Sequence, residues 1–340
     1  MNTKLLIWKM APKNKTNIKR IAVFTSGGDA PGMNAAIRAV VRAGNYFGLD
    51  VLGIRYGYDG MIDGDIIELP SSAVSGIIQR GGTILKTARS PRFLKAAGRE
   101  QAYKNLVKHG IDGIVAIGGD GTFRGARVFS DKYKIPFVGI PGTIDNDLFG
   151  TDFCIGYDTA INTVVEAVDK IRDTAASHDR LFFIEVMGRD AGLIALRSGI
   201  GVGAEAILVP ETKTDIDHIV RILERNSKAG KRSNIIIVAE GDEAGGAIEI
   251  ARKVKERFDY FDTRVSVLGH IQRGGNPTAA DRVLGSRLGL AAVEALLAGK
   301  KNVMVGVKHK DIVHVPFGKS TKHIKTINED LLRLADIISV

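Results

Sequence analysis

Twice in this chain a short, almost wholly apolar run ends in a glycine–aspartate turn and passes at once into a helical pattern. Residues 21–25 (IAVFT) lead into Ser26-Gly27-Gly28-Asp29-Ala30-Pro31-Gly32 and a helix over 33–45. Residues 113–117 (GIVAI) lead into Gly118-Gly119-Asp120-Gly121-Thr122 and a helix from about 123. A strand with no polar alternation is buried on both faces, as parallel strands are. Strand, glycine turn and helix start together present free backbone N–H groups and a positive dipole end to an anion. Neither turn is a Walker loop or a GxGxxG fingerprint. Two of them on one parallel sheet could hold opposite ends of a polyphosphate. Asp120 would then be free to hold Mg²⁺, which takes one or two carboxylates and completes its shell with phosphate oxygens.

A third apolar run, 136–140, ends at Pro141-Gly142-Thr143-Ile144-Asp145-Asn146-Asp147. The carboxyl rim of an open α/β sheet is where ligands sit. A hydroxyl and two carboxylates there supply a candidate base and groups to orient a metal or a water. An Asx-rich turn bonded to its own backbone is the plainer reading of the same residues. The alternation continues with a strand over 51–55, helices over 74–80 and 101–109, and a basic loop, Thr87-Ala88-Arg89-Ser90-Pro91-Arg92. Asp158 reads as an N-cap, before a helix with Ile161, Val164, Val165, Val168 and Ile171 on one face. Strands over 181–186, 234–239 and 264–268 deliver Met187-Gly188-Arg189, Glu240-Gly241-Asp242 and Gly269-His270-Ile271-Gln272-Arg273 at their carboxyl ends. A strand over 206–209, helices over 215–226, 246–258 and 281–298, and short strands over 303–305 and 311–315 complete the chain. Strand and helix alternate throughout, which predicts parallel α/β sheets.

Arg180, Arg189, Arg264 and Arg273 all fall at or near strand ends, joined by His270 and Glu240. One such arginine is an ordinary solvated charge. Four suggest recognition of a dianionic phosphate, which a planar guanidinium binds in a bidentate way. Arg38 and Arg42, one turn apart on the first helix, have the spacing to pinch a phosphate, or form an exposed basic stripe.

Composition narrows the class. With 340 residues, 44% of them hydrophobic, the chain can bury the core of one large or two ordinary domains. No window of 18 apolar residues predicts a membrane span, and the apolar tetrapeptide at 5–8 is too short for a signal-peptide core. Cys154, the single cysteine, excludes an internal disulfide and fits a reducing cytosol. The formal charge of +10 invites a nucleic-acid reading. Much of the excess, however, lies in 4–20 and 300–325 without aromatic interleaving, and a phosphate site explains part of it equally well.

Five of these segments occur together and in order in the bacterial-type 6-phosphofructokinase family, which this chain resembles from about residue 21 to 307. They are Thr25-Ser26-Gly27-Gly28-Asp29-Ala30-Pro31-Gly32-Met33-Asn34, Gly118-Gly119-Asp120-Gly121-Thr122, Pro141 to Asp147, Met187-Gly188-Arg189, and Gly269-His270-Ile271-Gln272-Arg273-Gly274-Gly275. The resemblance implies two Rossmann-like, parallel-sheet α/β domains with the active site between them. It implies a basic arm over 1–19, a nucleotide-binding domain over 20–155 and about 272–322, and a sugar-phosphate domain over 156–271 and about 323–340. The implied reaction is transfer of the γ-phosphoryl of ATP to the 1-hydroxyl of fructose 6-phosphate, in the cytoplasm, with Mg²⁺ as cofactor. No nucleic acid or membrane is expected as partner.

By the same resemblance Asp145 is the base, supported by Thr143 and Asp147, and Arg189 stabilises the transferred group. Gly28, Arg89, Ser90, Gly119, Asp120, Gly121 and Thr122 form the ATP site, with Asp120 on the metal. Thr143, Asp145, Arg180, Met187, Gly188, Arg189, Glu240, Arg264, His270 and Arg273 meet the sugar phosphate. Arg180 and Arg264 do so for a neighbouring subunit of a homotetramer. Arg38, Arg42, Arg172, Gly203, Glu205, Lys231, Arg232 and Ser233 match an effector site for ADP or phosphoenolpyruvate. There the chain departs from its relatives, with Asp65 where they carry an arginine and Pro70 at an acidic position. Relatives that use pyrophosphate carry Asp where this chain has Gly121 and Lys where it has Gly142, so ATP is the expected donor. Two other classes stay open on residues alone. A lipid or nicotinamide-nucleotide kinase shares the Gly-Gly-Asp-Gly turn but lacks the arginine and histidine loops. A silent regulatory or nucleic-acid-binding relative would be expected to have lost Asp145, Asp120 or an arginine.

Overall fold

The computed structural model describes residues 16–322 and 326–338, so the first fifteen residues of the expected basic arm lie outside it. The chain begins with β1 (Arg20–Ser26), α1 (Met33–Tyr46), β2 (Asp50–Ile54), α2 (Gly57–Asp63) and β3 (Ile66–Glu68). It continues through α3 (Ala96–Lys108), β4 (Gly113–Gly118), α4 (Asp120–Tyr133) and β5 (Phe137–Pro141). Next come α5 (Tyr157–Ser177), β6 (Arg180–Val186), α6 (Leu193–Gly201), β7 (Ala206–Leu208), α7 (Ile216–Lys228), β8 (Asn234–Ala239), α8 (Ala247–Lys255) and β9 (Asp262–Val267). The last elements are α9 (Ala279–Leu297), β10 (Val303–Lys308), β11 (Asp311–Pro316), α10 (Phe317–Ser320) and α11 (Glu329–Ile338).

Two compact units share these elements, and each is discontinuous in sequence. Among the described residues the first comprises 16–143, 148–156 and 276–322, the second 144–147, 157–275 and 326–338. In the first unit the strands order as β11-β10-β5-β4-β1-β2-β3. The inner strands are parallel, but β3 runs antiparallel to β2 and β11 antiparallel to β10. The uniformly parallel arrangement expected from the alternation is therefore corrected at both edges, where a hairpin-like return needs no crossover helix. Aromatic rings fill one face of this sheet: Phe93 stacks on Tyr58 at 3.9 Å and on Phe129 at 5.6 Å, all three buried. On α1 and α9 small residues permit close approach; a Cβ added at Gly289 would lie 2.5 Å from that of Ala39.

In the second unit the order is β7-β8-β6-β9, all parallel. Phe183, Ile236 and Val238 on the strands pack with Leu223 of α7 and Ile250 of α8. Asp215 starts α7 by accepting the His218 backbone N–H at 3.1 Å.

Several local expectations are corrected. Residues 74–80 do not form a helix: a single 3-10 turn, Ser71–Val74, gives way to extended Ser75 and to Gly76 at φ +66°. Helix α5 begins at Tyr157, so Asp158 sits inside its first turn and does not cap it. The short elements α2, β3 and α6 and the terminal α11 were not anticipated. Cys154 is buried, as its apolar neighbours predict.

Candidate active site

In the first unit, β1, β4 and β5 are adjacent and end level with one another, Ser26 opposite Gly118 and Gly118 opposite Pro141. Both glycine turns and Thr143 thus leave the sheet at one rim. The turns are tied together where they start: Thr122 Oγ1 donates to the Ser26 carbonyl at 3.1 Å. Gly118 is required there, because a Cβ would lie 2.4 Å from Thr122 Oγ1 and 2.5 Å from that carbonyl. Gly119 precedes α4 with no side-chain cap, which leaves the first-turn N–H groups to an external anion. Asp120 is the first residue of α4 and pairs with Arg124 one turn on. At Gly121 nothing lies within 4 Å of an added Cβ.

The segment carrying Arg89 and Ser90 has little regular structure and is held by side chains. Thr87 Oγ1 donates to the Gly27 carbonyl beside Gly28 at 2.8 Å, and Ser90 Oγ donates to Asp59 at 2.6 Å. Arg89 lies between these anchors, exposed. Buried Asn34 donates to the carbonyls of Arg80 and Gly81 and accepts from the Ile84 N–H. No group of three or more His, Cys, Asp or Glu able to hold a metal exists among the described residues. A divalent ion here would rest on Asp120 and on oxygens brought by its phosphate ligand, the usual arrangement for Mg²⁺.

The second unit gathers charged side chains. Asp145 is 2% exposed, and Arg189 Nε lies 3.3 Å from its Oδ2. Asn146 and Arg189 both adopt left-handed backbone, φ +54° and +53°. Such conformations cost roughly 1–3 kcal/mol each in a non-glycine residue and cluster at ligand sites. The Arg189 turn is clamped from beneath: Glu240 Oε1 accepts the Gly188 N–H at 3.2 Å and the Arg189 N–H at 2.7 Å. Gly241 must lack a Cβ, which would sit 2.0 Å from the Arg189 carbonyl. Gln272, fully buried, accepts the Met187 N–H at 3.2 Å and donates to the Gly269 carbonyl at 3.0 Å. The ends of β6, β8 and β9 are thereby joined, and 187–189, Glu240 and 269–273 share a rim. Gln272 was missed as a functional residue although it lies between His270 and Arg273. A buried amide between two loop segments leaves no mark in sequence.

The four arginines do not converge within this chain. Arg189 and Arg273 belong to the carboxyl rim, whereas Arg180 opens β6, six residues and roughly 20 Å from that end. Arg264 pairs in register with Phe182 near the same start. Both arginines share one carboxylate: Arg180 Nε donates to Asp262 Oδ2 at 3.0 Å and Arg264 Nη2 to the same oxygen at 2.9 Å. The Arg180 hydrogen bond, helped by the charge of Arg264, holds the Asp262 carboxyl below its ordinary range. Asp262 was also missed; its spacing two before Arg264 on a strand, hence on the same face, was the available signal.

Of the residues matched to an effector site, Arg38 and Arg42 lie on α1, and partial burial followed by Arg42's charge lowers the Arg38 pKa. The rest belong to the second unit. Arg172 donates to the Val202 carbonyl beside Gly203, which is at φ +59°. Lys231 Nζ lies 2.8 Å from Oε1 of Glu205, itself 2% exposed, and Arg232 lies 3.9 Å from Asp179. Ser233 is half-buried beside them. Asp65 accepts from Arg55 at 2.8 Å through Nε and 2.6 Å through Nη2, so its charge is matched by a neighbour.

A family model described as Phosphofructokinase matches residues 20–296. The ATP-dependent 6-phosphofructokinase of Cytophaga hutchinsonii is 59% identical, over 94% of this chain and 97% of its own. The ATP-dependent 6-phosphofructokinase 1 of Thermus thermophilus is 56% identical, over 95% of this chain and all of its own. Among solved structures, phosphofructokinase from Saccharomyces cerevisiae superposes with a TM-score of 0.86 at 39% identity, over 89% of this chain but 45% of the yeast chain. With matches this extensive, the chain belongs to the phosphofructokinase family.

Proposed function

We propose that this chain is an ATP-dependent 6-phosphofructokinase, a cytosolic glycolytic kinase that converts fructose 6-phosphate and ATP to fructose 1,6-bisphosphate and ADP. The observation that carries the reading is Asp145, buried at a strand's carboxyl end with Arg189 at 3.3 Å. Asp145 accepts the proton of the sugar 1-hydroxyl as that oxygen attacks the γ-phosphorus. The bond to the bridging oxygen breaks and ADP leaves. Arg189, held in a fixed left-handed turn by Glu240, meets the charge on the transferred group. Positioning and cationic clamping of this kind supply most of the catalysis in phosphoryl transfer. Thr143 and Asp147 support the base.

The nucleotide phosphates rest on Gly28 and on the Gly119–Thr122 turn, with Arg89 and Ser90 alongside; the sugar meets Met187, Gly188, Glu240, His270 and Arg273. Asp120 would hold Mg²⁺, whose charge, when bound, offsets that of the polyphosphate. Incubating the purified chain with both substrates and measuring fructose 1,6-bisphosphate tests the proposal. No product with ATP would sink it.

The remote position of Arg180 and Arg264 favours a site shared between subunits of a homotetramer. The strand of Arg264, β9, is a sheet edge among the described residues, with Val267 54% and nearby Tyr260 68% exposed. An inactive Asp145→Asn chain mixed and reassociated with an inactive Arg264→Ala chain is expected to regain activity in hybrids. Mixtures as inactive as their components would place all substrate groups in one chain. The effector cluster survives in outline, weakened because Asp65 stands where relatives carry an arginine.

A further inference from the structure

A cavity of about 280 Å³ lies within the second unit, and of the candidate site residues it is lined only by Glu205. Its floor is apolar, formed by Ile207, Ile219, Ile222, Leu332 and Ala335 from β7, α7 and α11. The polar groups around it are not equivalent. Its carboxylates are engaged: Glu205 with Lys231, Asp215 with the His218 N–H of its own helix, and Asp336 likewise has a partner. Thr214 Oγ1 is spent on Asp242 at 2.7 Å. Lys213 and His218, by contrast, make no side-chain hydrogen bond or ion pair to another described residue, although the Asp215 carboxylate acts on His218 electrostatically. The uncommitted groups are thus both nitrogen donors, above a hydrocarbon floor. Drug-sized ligands occupy ~300–1,000 Å³, so the occupant is smaller.

We infer that this cavity binds a small organic anion, a carboxylate with a short hydrocarbon body, and that its occupancy is felt at the loops beside Arg189. Residues 212–215 line the cavity. The neighbouring Glu211 carboxylate accepts the Gly192 N–H at 2.9 Å, fixing the far end of the Arg189 turn. Through Thr214 the same segment holds Asp242, two residues beyond Glu240, and the Thr214 N–H donates to Glu243 at 2.7 Å. A ligand that draws Lys213 inward moves a segment bonded to both loops. Coupling requires such a ligand to bind the two loop positions with different affinity.

The binding arm is independent of the proposed activity; the coupling arm rests on it. Octanoate is titrated into the full chain by calorimetry, with 1-octanol and inorganic phosphate as comparison probes. Saturable octanoate binding is expected, at least about tenfold tighter than either, since one probe lacks the charge and the other the hydrocarbon. The pair Lys213→Ala and His218→Ala is expected to weaken octanoate by about tenfold. Ala335→Leu, which fills the floor without altering charge, also weakens it. Equal affinity for octanoate and 1-octanol, or octanoate binding indifferent to all three substitutions, overturns the site. In the second arm, octanoate shifts half-saturation by fructose 6-phosphate about threefold, within the usual range of coupling energies. Octanoate binding with no shift overturns the coupling alone. A chain inactive without octanoate refutes the activity and leaves the binding arm standing.

Discussion

On the function proposed above, the two rims recognise anions with different materials. In the first unit the recognition surface is backbone: two glycine turns, an uncapped helix start and open space at Gly121. In the second it is side chain: Asp145, Arg189, His270 and Arg273 above the clamps Glu240 and Gln272. Backbone amides suit a chain of phosphates whose charge is spread, and they demand glycine because anything with a Cβ blocks the approach. Guanidinium and carboxylate groups suit a reacting hydroxyl and a compact dianion, but must be held in place by neighbours. The first rim is therefore vulnerable to added atoms, the second to lost ones.

The largest expected effect removes one atom's chemistry from the second rim. Asp145→Asn keeps shape and is expected to lower kcat by ~10²–10⁴-fold, the loss typical of a positioned base, with the melting temperature unchanged. Turnover within a few-fold of the parent would take Asp145 out of that role. Next comes an addition to the first rim. The Cβ of Gly121→Asp meets no protein atom within 4 Å, so the variant is expected to fold, yet to lower kcat/KM for ATP by about 10²-fold through like-charge repulsion. Undiminished ATP use would show that the nucleotide does not approach this turn, and comparable rates with pyrophosphate in the parent would overturn the donor assignment.

Smaller effects probe how the second rim's outlying arginines are held. Asp262→Asn frees Arg180 and Arg264 and is expected to raise KM for fructose 6-phosphate by no more than about fivefold, as exposed ion pairs contribute little, with kcat unchanged. The depressed folded pKa of Asp262 fixes the sign with pH. Its contribution is fully present above the ordinary carboxylate value of about 3.9 and is lost only as pH falls through the lower folded value. The substitution should therefore act equally from neutral pH down to about 5; an effect that grows across that range would implicate another group. The smallest effect concerns the effector cluster. Millimolar phosphoenolpyruvate is expected to move half-saturation by fructose 6-phosphate less than about threefold, and Asp65→Arg, by replacing a carboxylate with a phosphate partner, to enlarge that shift. A large shift in the parent would mean that Asp65 does not face the effector.

How much of this was legible follows the same division. The glycine turns could be read directly, because the constraint at Gly118 is local: strand end, helix start and a hydroxyl four residues on. Asp145 and Arg189 were legible through motif order. Asp262 was legible only through Arg264, two residues on; its other partner, Arg180, lies 82 residues away, and only strand pairing brings them together. Gln272 was not legible, because its amide joins a backbone N–H of another loop to a carbonyl of its own turn. The failed helix at 74–80 had its apolar spacing overruled by a glycine in left-handed backbone. The antiparallel edges were missed because alternation reports how strands connect, not which way the last one turns.

The interrupted first unit sets a schedule for the growing polypeptide. Helix α9 and strand β10 come only after residue 276, yet α9 is the helix against which α1 packs and β10 is the neighbour of β5. A ribosome-bound chain that has emerged through β9 carries every one of the second unit's four strands, but α1 still shows a bare stripe of small residues and β5 an open edge. The unit begun first is finished late. During that interval, several seconds or more at ~5–20 residues per second of synthesis, the exposed stripe and edge are where a chaperone would bind or a premature contact would form.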